Sequence, residues 1–210
     1  EVKEEVDRQR RIQQLRDMAR DEDEELLLSG EALECSKRGI RNTTSESEVP
    51  PQRLMADVFA GYGGFGEEVQ NECQCETLFV DNARNPRHDL MDPSFVELVC
   101  KAILFGMFFL VHMAPPCSSF SRARRPAIRA PGRWIRGLPG LSPPQVQRVR
   151  EGNALAQAAI SMCFACLTAR VGFSLENPRT SMIWELPEMQ KLMDQPGVFV
   201  VELVYCAFGA

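Results

Sequence analysis

The sequence has no N-terminal apolar leader, and its most apolar stretch, residues 102–116, is interrupted by Gly106. That stretch is shorter than the roughly 20 residues a spanning helix needs, so it reads as core. Without a secretory leader, eight cysteines in a 210-residue chain do not suggest a disulfide framework. They are expected to be reduced thiols of an intracellular protein. Histidine is scarce, with only His88 in a polar loop and His112 within a strand, so no Cys-His dyad is visible. Cys73 and Cys75 have no second pair at ligand spacing, and no metal site is expected. Cys163 and Cys166 lie three apart in an apolar helical run and read as core. No internal repeat is evident.

Acidic residues are also missing from one region. Between Arg122 and Arg150 the chain carries Arg124, Arg125, Arg129, Arg133, Arg136 and Arg148 with no Asp or Glu among them. Overall the chain is acidic, with a net charge of -5, but residues 1–50 hold fourteen Asp/Glu against nine Lys/Arg and account for all of it. Residues 51–210 balance at fifteen of each. The acidity therefore belongs to a charged N-terminal extension and linker over 1–50, partly helical or disordered, ending in Ser/Thr/Pro-rich "RNTTSESEVPP". The second domain is expected over 51–210.

Within that domain, strand and helix signals alternate. "LMADVFA" reads as a strand running into glycines, "GFGEEVQNE" as a helix start, and "TLFVD" as a second strand ending at Asp81. Asp92 and Pro93 open a helix over "SFVELVCKAILF". "MFFLVHM" lacks amphipathic alternation, as a strand covered on both faces should. After a loop rich in Arg, Pro and Gly, the pattern predicts a long helix over 145–171, a strand over "FSLEN", a helix over "TSMIWELPEMQKLM" and a last strand over "VFVVELVYCAF". This alternation argues for an α/β fold with a doubly wound, mostly parallel, Rossmann-like sheet. Ligands of such sheets bind beyond the carboxyl ends of the strands.

Three stretches then share one rim. In "DVFAGYGGFG", Gly61, Gly63 and Gly64 leave room for a ligand to approach the backbone, with helix N–H groups behind; the same glycines also suit a tight turn that binds nothing. Asp81 falls about 20 residues later, where a ribose-binding carboxylate would sit, and equally suits a turn. In "HMAPPCSSFSRAR", two prolines stiffen the loop that presents Cys117, and Arg122 and Arg124 would favour its thiolate; the alternative is an inert buried thiol. At "FSLEN", Glu176 follows an apolar strand whose desolvation would let it hold a proton near neutrality, or else it caps a turn with Asn177. The arginines suit phosphate, with Trp134 available to stack, or form a solvated loop that pairs with the acidic extension.

Together these stretches resemble the cytosine-5 methyltransferases. "DVFAGYGGFG" looks like that family's first motif, "APPCSSFS" like its Pro-Cys loop and "LEN" like its Glu-Asn-Val motif, in the family's order. The resemblance implies the S-adenosylmethionine-dependent methyltransferase type of sheet and methyl transfer to carbon 5 of cytosine in DNA through a covalent Cys adduct. It implies that Phe59, Ala60, Gly61, Gly63 and Gly64 line S-adenosylmethionine, that Asp81 takes its ribose hydroxyls, Asp89 its adenine amino group, and Pro115 its edge. It makes Cys117 the nucleophile and Glu176 the residue that grips the cytosine. Nucleic acid would contact Ser119, Arg122, Arg124, Arg125, Arg129 and Arg133. Ser118 stands where the family often has Gln, Pro178 where it has Val, and no Gln-x-Arg-x-Arg motif or target-recognition region occurs before Ala210. The expectation is a short, divergent or truncated member, nuclear if eukaryotic. The other readings are an RNA methyltransferase and an inactive binding module of the same fold.

Overall fold

A computed structural model describes residues 54–203; the extension expected over 1–50 lies outside them. Four strands, β1 (Leu54–Val58), β2 (Glu76–Val80), β3 (Leu110–Met113) and β4 (Gly172–Leu175), form one all-parallel sheet in the order β2-β1-β3-β4. Parallel neighbours cannot be joined by a tight turn, and each connection here contains a helix. These are α1 (Gly64–Cys73), α2 (Pro93–Leu104) and α3 (Pro143–Ala169), with a short α4 (Pro187–Met193) after β4.

Side chains along a strand alternate between faces, and β3 shows what each face meets. His112 stacks on Phe65 of α1 with ring centroids 3.9 Å apart, whereas Met113 meets Cys163 of α3 at 3.8 Å between sulfurs. Helices therefore cover both faces, with α1 on one and α3 on the other. Ala56, Val58, Val80, Val111 and Met113 join Val99, Ile103, Ala156, Ile160 and Cys163 in the main core, which also takes in α2. By length and composition alone α3 would suit a membrane crossing, but ten of its residues are buried in the protein.

Local chemistry sets the helix ends. The Asp92 carboxylate accepts the Ser94 N–H at 2.9 Å, and Pro93 occupies the first turn of α2. Gln145 Oε1 accepts the Ser142 N–H at 2.9 Å before α3, which begins at Pro143, just ahead of its expected start. The single helix expected over "TSMIWELPEMQKLM" is divided into a 3-10 turn, Met182–Glu185, and α4. Leu186 between them is extended, because the residue before a proline is pushed out of the helical region. The last strand expected over "VFVVELVYCAF" is not formed over 198–203: this part pairs with no strand, and Phe199, Val200, Val201 and Leu203 are exposed. Residues 204–210 lie outside the described residues.

A close contact at Gly66 holds α1 to its face. Gly66 N–H donates to the buried Asp57 carboxylate at 3.0 Å, and a Cβ there would stand 2.6 Å from Phe79 Cε1 and 2.7 Å from Asp57 Oδ2. Gly66→Ala is accordingly expected to destabilise the fold by about 1–3 kcal/mol in urea denaturation, despite alanine's better helix propensity. His112, with Nδ1 2.8 Å from Ser174 Oγ, is buried, and burial pulls its pKa down to about 4. The unfolded chain then binds the proton first as pH falls from about 6.5 to about 4. His112 should thus weaken the fold progressively across that window, by up to about 3 kcal/mol, and contribute no penalty above it. Denaturation curves of wild type and His112→Phe should diverge in slope only there.

Candidate active site

The sheet register brings the special stretches to one rim. Val80, Val58, Met113 and Leu175 lie in one row across the four strands. The residues that follow them, Asp81, Phe59, Ala114 and Glu176, begin the four corner loops. Phe59 N–H bonds Val80 O at 2.9 Å, Ala114 N–H bonds Val58 O at 3.2 Å, and Glu176 N–H bonds Met113 O at 2.9 Å. With neighbouring strands about 4.8 Å apart, the four corners span about 15 Å. After β2 the chain crosses back to the far side of β1, so the topological switch point lies between β1 and β3. The glycine turn and the Pro-Pro-Cys loop flank that point, where ligands of open α/β sheets bind.

The glycine turn adopts unusual backbone geometry. Gly61 (φ 51) and Gly63 (φ 84) use the left-handed region, and so does Phe59 (φ 63), a strained conformation for a bulky residue. Gly63 N–H closes the turn onto Ala60 O at 2.7 Å. A Cβ added at Gly61 or Gly64 would meet nothing within 4 Å, so the backbone there lies open to a ligand. The Asp81 carboxylate accepts the Gly61 N–H at 2.9 Å with one oxygen and the Ala83 N–H at 2.8 Å with the other. It therefore serves as a turn residue, and a carboxylate's remaining lone pairs can still accept further donors. Asp89, half-buried, accepts the Met91 N–H at 2.8 Å. Arg84, which sequence reasoning missed, donates from Nε to Gly61 O at 2.9 Å and from Nη2 to Tyr62 O.

Across the switch point, Pro115 is buried and Cys117 half-buried. Phe120, fully buried, donates its N–H to Cys117 O at 3.0 Å and anchors the loop from inside. Glu176 is half-buried. Asn177 does not cap its own turn: its side-chain amide donates to Pro115 O at 2.8 Å, tying the Glu-Asn corner to the Pro-Pro-Cys loop. Its Oδ1 is buried and has no hydrogen-bond partner among the described residues. A buried acceptor left open beside two of the corners is a place where a ligand's N–H or O–H would be satisfied.

The arginine loop departs most from expectation. Arg129, expected at a nucleic-acid surface, is 2% exposed and faces inward. Nε donates to Ser119 O at 3.0 Å, Nη1 to Ile135 O at 2.9 Å and Asn153 Oδ1 at 2.6 Å, and Nη2 to Ser119 Oγ at 3.2 Å and Val149 O at 3.0 Å. All five N–H donors are satisfied by neutral acceptors, and the guanidinium lies 3.9 Å over the Phe120 ring. Burial and then the charge of Arg136 pull its pKa down to about 10, so it remains charged at neutral pH. Ser119, also expected to touch nucleic acid, is buried as part of this cage.

Acidic partners arrive from later in the chain. Arg122 pairs with Glu185, and Arg136 with Glu188 at 2.6 Å. The charge Arg122 was expected to offer Cys117 is thus shared with a carboxylate. Arg125 donates to Arg122 O and Arg124 O, both at 2.9 Å, while Arg133 lies 4.7 Å over the Trp134 ring. Arg124 is half-buried, with Nε unpaired among the described residues; Arg125, Arg133, Arg148 and Arg150 are exposed. A cavity of about 180 Å³ lies on this side, lined by Ser119, Ser121, Arg122, Ile128, Arg129 and Met182, and not by Cys117 or the glycine turn.

Comparison with protein-family models, with characterised proteins and with solved structures gives no match.

Replacing Arg129 strands several buried acceptors, each costing about 1–3 kcal/mol when left unsatisfied. Arg129→Ala should lower unfolding free energy by about 3 kcal/mol or more, and Arg129→Lys, with three donors in place of five, should recover less than half of the loss; chemical denaturation measures both.

Proposed function

We propose that this chain is a cytosine-5 methyltransferase domain of the S-adenosylmethionine-dependent type, acting on nucleic acid, with DNA as the preferred substrate. The observation that carries this reading is the bond from Asn177 to Pro115 O within the row of strand ends. It joins the corner bearing Glu176 to the loop bearing Cys117, on the rim where the glycine turn opens. Six described cysteines are all free, which supports an intracellular setting, nuclear if the substrate is eukaryotic DNA.

In this reading Gly61 and Gly64 present open backbone to the cofactor, with Phe59, Ala60 and Gly63 shaping the turn, Asp81 and Asp89 beside it and Pro115 at its edge. When bound, S-adenosylmethionine supplies a methyl group on a sulfonium sulfur, the electrophile. Carbon 5 of cytosine is a poor nucleophile, and Cys117 corrects this by adding its thiolate to carbon 6, which turns the ring into an enamine. Glu176 bonds ring nitrogen 3 and stabilises that addition. Once the enamine carbon 5 carries the methyl group, the donor sulfonium being left as a neutral thioether, loss of the carbon 5 proton to water would re-form the ring double bond and expel the Cys117 thiolate. Because a duplex hides carbon 6, the base must be flipped out or already single-stranded. The exposed Arg125 and Arg133 and the half-buried Arg124 supply positive charge for the backbone, with Arg122 available once released from Glu185.

Trapping on an oligonucleotide carrying 5-fluorocytosine, with S-adenosylmethionine present so that methylated carbon 5 holds fluorine in place of a removable proton, tests the reading. The expected result is a covalent adduct, lost entirely in Cys117→Ser and formed about 100-fold or more slowly in Glu176→Gln. Absence of any adduct with the wild-type chain counts against methyl transfer and favours an inactive binding module. Competition between DNA and RNA oligonucleotides for the adduct distinguishes the two substrates.

A further inference from the structure

We propose that Arg84 is a positioning residue that pre-shapes the glycine turn, so that its open face at Gly61 and Gly64 is held ready for ligand. The inference concerns the conformation of the turn, and it rests on the proposed function only for the ligand's identity. Arg84 lies in the loop after β2 and reaches back to the turn after β1. Its Nε donates to Gly61 O at 2.9 Å and its Nη2 to Tyr62 O, while the guanidinium carbon sits 4.2 Å over the Phe79 ring centroid. Asp81, three residues earlier in the same loop, takes the Gly61 N–H at 2.9 Å. Gly61 is therefore gripped at both of its backbone polar groups from one loop.

This grip addresses a physical problem. Phe59, Gly61 and Gly63 all have positive φ, at 63, 51 and 84 degrees. Glycines visit many other conformations at little cost, and a bulky residue resists this one, so the turn left alone would spread over many shapes. A ligand would then have to order it, with a loss of affinity. The planar fork of an arginine holds two successive carbonyls in one fixed geometry, whereas a lysine ammonium is a rotating point charge on a flexible stem. The grip is also one-sided. A Cβ at Gly63 would stand 2.1 Å from Arg84 Nη2, whereas at Gly61 and Gly64 it would meet nothing within 4 Å. Arg84 therefore covers the turn at Gly63 and leaves its neighbours open. Glu67 lies 3.5 Å from Arg84 Nη2, but it is exposed and adds little.

Hydrogen exchange on the full chain tests this without any ligand. In Arg84→Ala, exchange of a peptide covering residues 59–66 should rise about tenfold while peptides of α3 stay unchanged. Arg84→Lys should show most of the same rise, because the fork is lost although the charge remains. In calorimetry, S-adenosylmethionine should bind Arg84→Ala about tenfold more weakly. Exchange at 59–66 within twofold of wild type in Arg84→Ala, or a rise shared equally by α3, overturns the proposal. A wild-type chain that binds no S-adenosylmethionine overturns the methyltransferase reading, and the exchange result still decides for or against the grip.

Discussion

Parallel pairing of four strands is the constraint on which the molecule depends. It sends every carboxyl end to the same rim, so residues 59, 81, 114 and 176, remote in sequence, become neighbours. The register is enforced by burial. A slip of one residue along β3 would turn His112 toward α3 and Met113 toward α1, placing an imidazole in the apolar core. The site is thus assembled by the same alternation of faces that builds the core, and the corner loops add cross-ties such as the Asn177 bond to Pro115 O.

The long connection from β3 to α3 has little regular structure beyond one 3-10 turn, Gly132–Trp134. Connections of that length usually need internal support. Arg129 supplies it by joining the loop at Ser119 and Ile135 to α3 at Val149 and Asn153, over the buried ring of Phe120. A buried cation without a carboxylate is tolerable only because each donor meets an acceptor. Gly152 permits the approach: a Cβ there would lie 1.9 Å from Ser119 Oγ. The loop that carries Cys117 is in this way fastened to a rigid helix just beyond that residue.

Much of this was legible in the sequence, and the reasons are specific. The apolar runs before Phe59, Asp81, Ala114 and Glu176, separated by helical segments, were enough to indicate parallel strands and a shared rim. Asp92-Pro93 marked a helix start because capping is a local interaction. What stayed hidden was long-range pairing. Nothing near Arg129 distinguishes it from Arg125, because its burial depends on acceptors 20 and 24 residues away in α3. Arg122 and Arg136 looked unopposed because Glu185 and Glu188 lie more than 50 residues downstream. Arg84 carried no signal except its place shortly after an acidic strand end. The single helix expected over 180–193 overlooked the proline at 187, although its effect on Leu186 is local.

The two ion pairs from the loop to Glu185 and Glu188 alter what a salt titration of nucleic-acid binding would count. Each phosphate neutralised by a free cation releases a condensed counterion, and the slope of affinity against salt reports that number. Arg122 and Arg136 already have a carboxylate each, and Arg129 is enclosed, so these three contribute less than full cations to that sum. The polyelectrolyte footprint of this face is consequently smaller than its arginine content implies.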